Sequence, residues 1–400
     1  MKEMIQLTAV FLVLLIGCNR EENLPDDQVL PLKEGEVLKS SNAFGFNLYR
    51  QILDENQDST FSVSPYSIFT AVAMAANGAG GETLEEMMEV LGFPGEEILA
   101  LDKTLKALDE TLIGKDPATV FQTANSVWYN TLDFNLYPTF TDRMAEWFNA
   151  PVEGRDFTNP ATLPEINGWV YDKTNGKIDK ILERINRDDV CFLINALYFN
   201  GKWTTIFDRE MTHKGYFTDV KGVVSEVPTM YVEEKFGIIR NTQFDALELP
   251  YGDGSWAMYL FLPAKGTGTG EFVNEQLKAD WDGIRSRFEE VKTEVYLPQF
   301  KVESSFELSE QLAATGMPTA FTNQADFSEL GPGSLAISQV LHKTFIDVNE
   351  EGTEAAAVTA VVISRTSVPD SVIRFNRPFV FLIAEKSTGS IIFMGQVTKL

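Results

Sequence analysis

The residue types that most often carry catalytic chemistry are scarce in this chain. Its 400 residues include two histidines, His213 and His342, and two cysteines, Cys18 and Cys191. Nucleophilic catalysis needs a base within reach of an activated Ser or Cys, and a zinc site needs three or four His, Cys or carboxylate ligands. The sequence has no HExxH helix, no GxSxG elbow, no GxxxxGK[ST] phosphate loop and no paired CxxC. The stretches "GAGGET" and "GTGTGE" are glycine-rich but lack the spacing of a dinucleotide fingerprint, and both read as turns. Acidic residues lie along helical faces such as "GETLEEMMEVL", where they solvate the surface, and nothing selects a carboxylate pair. Cys191 sits in the apolar run "DDVCFLINALYFNG" with no basic neighbour, so it reads as a small buried hydrophobe. No metal or cofactor is expected, and among enzymes one built on a carboxylate pair stays open at the level of single residues.

A different kind of chemistry is written at Asn349 to Ser371, "NEEGTEAAAVTAVVISRTSVPDS". Small residues run into β-branched ones, with charges at the start, Arg365 near the far end and Pro369 after it. The ends are too polar for a buried strand, and the Val, Ile and Thr content is too high for a comfortable helix.

The surface around such a segment is acidic. Lys and Arg number 33 against 58 Asp and Glu, a formal net charge of −25. An acidic field repels phosphate backbones, so nucleic acid is excluded as a partner. The chain opens "MKEMIQLTAVFLVLLIGCNREEN": a basic residue, an apolar run from Leu7 to Ile16 too short to span a bilayer, then Gly17 and Cys18. This suits a signal peptide over residues 1–17. "LIGC" resembles the lipobox of bacterial lipoproteins, which implies lipidation at Cys18; a plain secretory signal is the other reading. An acidic tether at 18–37 and a single domain at 38–400 are expected to follow. With Cys18 acylated, Cys191 has no partner for a disulfide, and the fold relies on packing alone.

The elements that must position these residues are mixed, with helices first and strands later. "SSNAFGFNLYRQIL" and "LDKTLKALDETL" carry helical apolar spacing. Ser64 before Pro65 in "SVSPYSIFTAVAMAANGA" is a good cap ahead of a favoured first-turn proline. "LPEINGWVYDKTNGKI" reads as a helix ended by Gly176. "QTANSVWYN", "DVCFLINALYFNG", "ALELPYG", "WAMYLFLP", "EVYLPQFKVESSF" and "SIIFMGQVTKL" read as strands, the second so continuously apolar that it belongs in the middle of a sheet.

Taken in order, these segments resemble one family, the serpins, from about Ser41 to Leu400. The resemblance rests on "FSVSPYSI", "NGAGGETLEEMMEVLGF", "INGWVYDKTNGKI", "NALYFNGKW", "ELPYGDGSWAMYLFLP", "LPQFKVESSFELSEQLAATGMPTAFTNQADFS", "HKTFIDVNEEGTEAAA" and "FNRPFVFLI". It implies an α+β serpin fold with large mixed and antiparallel sheets and an exposed reactive-centre loop at about 350–374. It also implies suicide inhibition of serine proteases, with cysteine proteases as a further class, by a monomer that forms a covalent complex. The other reading is a surface binding module on the same fold, with Trp128, Tyr129, Trp147 and Trp169 as a ligand platform.

Within that resemblance the hinge is Glu350, Gly352, Thr353, Glu354, Ala355, Ala356 and Ala357, small enough at its centre to enter a closing gap. With Thr353 facing the core, alternation puts Ala355, Ala357, Thr359, Val361 and Ile363 on the same uncharged face and Glu354 outside. The family's frame sets the reactive bond at Thr366–Ser367, with Arg365–Thr366 as an overlapping bait for trypsin-like enzymes. Ser64, Ser67, Asn195 and His342 match the polar cluster where the central strands part, and Trp203 with Gly201 matches the top of the sheet. Glu350 usually meets a basic residue, but the matching position here is Gln299, so a hydrogen bond is expected in place of an ion pair.

Overall fold

The computed structural model describes residues 30–132, 134–187, 189–353 and 371–400. The signal region, Cys18, hinge residues Glu354, Ala355, Ala356 and Ala357, and both bait bonds at Arg365, Thr366 and Ser367 lie outside the described residues. The helices are α1 (Glu34–Asn56), α2 (Pro65–Ala76), α3 (Gly81–Val90), α4 (Ile98–Ile113), α5 (Pro138–Phe148), α6 (Thr162–Lys173), α7 (Thr269–Phe272), α8 (Lys278–Arg285) and α9 (Ser309–Thr315). The strands are β1 (Phe61–Val63), β2 (Thr119–Asn130), β3 (Val152–Arg155), β4 (Cys191–Lys202), β5 (His213–Thr218), β6 (Val224–Arg240), β7 (Phe244–Tyr251) and β8 (Trp256–Pro263). They continue as β9 (Glu289–Pro298), β10 (Phe300–Glu307), β11 (Leu341–Asn349), β12 (Gly352–Thr353), β13 (Ser371–Arg374), β14 (Phe379–Glu385) and β15 (Ile391–Val397).

These strands form two sheets. One runs β1-β15-β14-β8-β7-β6-β9-β13 with β5 beside β6; the other runs β10-β11-β12-β4-β2-β3. Strands β8, β14 and β15 are buried on both faces because helices cover one side and the second sheet the other. Helix α2 is buried along nearly its whole length, as its run of Ile, Phe, Val, Met and Ala requires. Ser64 caps it by accepting the Ser67 N–H, and Pro65 takes the first turn, where its missing N–H costs nothing. Helix α6 lies over the outer face of β4, packing Ile166 and Val170 against Phe192, Ile194 and Ala196.

Three sequence expectations need correcting. The folded body starts ahead of residue 38: the Leu32 N–H donates to the Ala100 carbonyl at 3.3 Å, α1 begins at Glu34, and Val37 is fully buried. The acidic composition of 18–37 concealed these few apolar anchors. Helix α6 stops at Lys173, before Gly176; the glycine, at φ +77°, turns the chain back so that its N–H reaches the Tyr171 carbonyl. The run "EVYLPQFKVESSF" divides between β9 and β10 of different sheets, and the break falls at Gln299.

Candidate functional site

The second sheet has an unusual centre. β11 pairs antiparallel with β12 through Val348↔Thr353 and Asn349↔Gly352. β12 in turn pairs antiparallel with β4 through Gly352↔Lys202 and Thr353↔Gly201. Strands β4 and β11 are therefore parallel to one another and stand two strand spacings, about 10 Å, apart at this level. Among the described residues they form no ladder with each other. Two long strands thus present facing edges, and the start of the Asn349–Ser371 segment already sits between them.

Thr353 faces inward, 1% exposed, and its hydroxyl lies 2.6 Å from the Tyr251 hydroxyl. Burial pushes the Tyr251 phenol well above the usual tyrosine range. Gly352 has φ +153°, and a Cβ there would stand 2.1 Å from the Gly201 carbonyl oxygen, so no other residue fits unaltered. Glu350 is buried and accepts from Gln299 Nε2 at 2.7 Å and from the Thr212 hydroxyl at 2.6 Å. The neutral Gln299 contact is the one expected from sequence; Thr212 was not anticipated. Trp203 stacks on Tyr251, ring centroids 4.4 Å apart, and its indole N–H donates to the Asn349 carbonyl.

Lower in the same sheet a polar cluster bridges α2, β2, β4 and β11. The Ser67 hydroxyl donates to Asn195, whose amide donates to Asn125, and Asn125 donates to the Phe148 carbonyl. The Ser64 N–H donates to His342 Nε2 at 3.0 Å. That bond makes Nε2 an acceptor, and burial pushes the imidazole down to about 3, so the ring is neutral and is not poised for catalysis. The structure thus gathers Ser64, Ser67, Asn195 and His342 into one cluster and places Trp203 apart, at the top of the sheet. Asn125 also joins the network, and Ser62, Thr344 and Ser304 form a second hydrogen-bonded group beside it. They were not singled out from sequence, because isolated Ser, Thr and Asn in strands carry no distinguishing local signal.

Below this cluster, between the start of β4 and residues 338–342, lies a cavity of about 260 Å³. Its floor is Ile68 and Val72 of α2, and its walls include Cys191 and Leu193. Cys191 is half-buried there, and desolvation pushes its thiol up to about 12, which keeps it protonated and unreactive. Of the aromatics considered as a ligand platform, Trp128 and Trp169 meet edge to face, ring centroids 6.4 Å apart, inside the packing of α6 on the sheet. Trp128 is buried against α6, its indole N–H donating to Ser126, and Trp147 lies on α5 beneath Lys103 and Lys106.

Comparison with known proteins agrees with this geometry. The family model described as Serpin (serine protease inhibitor) matches residues 39–400. A serpin-like protein of Methanosarcina acetivorans is 33% identical over 374 residues, covering 92% of this chain and 87% of its own length. The native-state structure of the thermophilic serpin tengpin superposes with a TM-score of 0.84 at 32% identity, covering 94% of this chain and 98% of its own. Human thyroxine-binding globulin bound to its hormone also reaches 0.84, at 26% identity, over 92% of this chain and 99% of its own. Serpins are protease inhibitors by family character, not catalytic enzymes, and their partners are target proteases. On its sequence, its two sheets and the strand pair β4–β11 with the hinge between them, the chain belongs to the serpin family.

Proposed function

We propose that this protein is an irreversible suicide-substrate inhibitor of serine proteases, of the elastase- or subtilisin-like and trypsin-like classes. The observation that carries the reading is the buried strand Gly352–Thr353 between two strands that do not pair with each other. Cleavage beyond the hinge frees the segment behind it to continue that strand. Successive added residues gain ladder hydrogen bonds to the two edges in turn, in the antiparallel sense that is slightly the more stable. Serpin loop insertion is itself a standard example of strand addition to a sheet.

The described register supports a specific path. Stepping equally along all three strands from Thr353, Gly201 and Val348 brings Thr359 level with Asn195 and His342. Further on, beyond the start of β11, Val361 comes level with Leu193 and Ile363 with Cys191 on β4, both of which line the apolar cavity. A hydroxyl thus meets the polar cluster and two branched aliphatics meet the cavity, so no buried group loses its match.

The bait is assigned to Thr366–Ser367, with Arg365–Thr366 overlapping it. Ahead of the fold, the reading keeps an exported, monomeric protein tethered to a membrane through a lipid on Cys18, at the cell surface or outer membrane, or else secreted. Incorporation of a fatty-acid label that Cys18→Ser abolishes checks the anchor. For the inhibitory function, the mature protein is incubated with trypsin, an elastase and subtilisin. The expected result is an SDS-stable complex and a released fragment starting at Ser367, or at Thr366 for a trypsin-like cut. Cleavage that leaves the protease fully active would overturn it.

A further inference from the structure

We propose that Arg209 is the positioning residue that sets the hinge for insertion, an inference that rests on the inhibitory reading above. One segment, Trp203 to Thr212, grips three consecutive hinge residues. The Trp203 indole N–H donates to the Asn349 carbonyl, the Phe207 N–H to the Glu350 carbonyl and the Trp203 N–H to the Glu351 carbonyl, each at 2.9 Å. The same segment supplies Thr212 to the Glu350 carboxylate and Arg209 to the Glu351 carboxylate, the latter at 2.5 Å.

Both glutamates are buried, at 6% and 4% exposed, so each carboxylate has lost water and depends on the partners the fold supplies. Glu350 takes its side-chain bonds from neutral groups, Gln299 and Thr212. The positive charge that meets Glu351 is Arg209, whose own side chain is 63% exposed and so keeps much of its hydration. Arg209 is fixed in place by a short turn, in which Asp208 accepts the Glu210 N–H. The second Glu351 oxygen, Oε2, is buried without a hydrogen bond, so removal of Arg209 leaves the whole carboxylate uncompensated.

The clamp ends one residue before Gly352, the pivot and first residue of β12, and two before Thr353, the first hinge side chain buried in the sheet. Its effect is to hold the leading residue in register, so that the strand starts to form as soon as the loop is cut. Insertion competes with release of the cleaved loop, and a hinge no longer held in register loses that race more often.

The test uses the full chain and four proteins: wild type, R209Q, E351Q and the R209Q/E351Q double variant. Two quantities are read, the number of inhibitor molecules consumed per protease trapped and the amide hydrogen exchange of residues 346–353. The expectation is at least a two-fold rise in consumption for R209Q with faster exchange at 349–353. The double variant, in which residue 351 carries no charge to compensate, returns toward wild type in both. R209Q that matches wild type, or a double variant as poor as R209Q, overturns the proposal. Should R209Q fail to fold, E351Q and the double variant decide it: equal behaviour supports the coupling and a further loss in the double variant overturns it. Wild type that traps no protease contradicts the inhibitory reading instead, and the hydrogen-exchange comparison still tests the clamp.

Discussion

The Thr353 hydroxyl lies 2.6 Å from the Tyr251 hydroxyl, joining the first inserted residue of the hinge to the last residue of a strand in the other sheet. Both are fully buried, so each group depends on the other for a partner. Tyr251→Phe leaves the Thr353 hydroxyl without it. The expected cost is about 1–2 kcal/mol in chemical denaturation, with Tyr251→Phe/Thr353→Val recovering most of it.

Gly352 is the pivot of the hinge. Gly352→Ala must move its new Cβ away from the Gly201 carbonyl and leave a backbone region open mainly to glycine. Strain of about 1–3 kcal/mol is expected, borne by the β12 pairing. The measurement is inhibitor consumption per protease trapped, which rises for Gly352→Ala and stays low for a control such as Gly35→Ala in α1, where the backbone is helical and a Cβ meets nothing.

Thr359 is expected to pass Asn195 and His342 on insertion, so its size and charge control the second half of the path. Thr359→Arg should leave the loop cleavable at an unchanged rate while abolishing the SDS-stable complex. Thr359→Ser should behave as wild type. A gel of inhibitor and protease separates these outcomes.

His342 and Asp102 give pH dependences of opposite sign. His342 titrates at about 3 in the fold against about 6.5 unfolded, so between those values the unfolded chain binds the extra proton. Its contribution is therefore lost as pH falls from 6.5 toward 3, by about 1.4 kcal/mol per pH unit. Asp102 is fully buried, receives one hydrogen bond from Asn77, and is pushed up to about 8 by desolvation. Here the folded chain holds the extra proton, so stability is lost as pH rises from about 4 to 8. The two slopes oppose each other between pH 4 and 6.5, so over that range denaturation midpoints should fall with rising pH in His342→Gln and rise with it in Asp102→Asn, and the loss above pH 6.5 should be absent from Asp102→Asn.

Much of this was legible in the sequence because the motifs are local. Ser64–Pro65 announces the start of α2, "CFLINALYF" announces a central strand, and "EEGTEAAA" announces the hinge. Gln299 was legible as the partner of Glu350 only by resemblance, since the two are far apart in the chain. Tyr251, Thr212 and Arg209 were not legible: each acts through one contact formed when remote segments meet, and nothing in their own neighbourhood marks it. The early start of the fold was hidden for a similar reason, since Leu32 and Val37 are isolated apolar residues in a charged stretch that only packing against α4 reveals.

The central claim is that a cut loop enters the sheet between β4 and β11. Thermal unfolding of the intact protein and of the same protein cleaved at its loop tests it most directly. The account predicts that the cleaved form melts far above the intact one, because the added strand pairs on both edges and fills the cavity beneath. Equal melting of the two forms would contradict it.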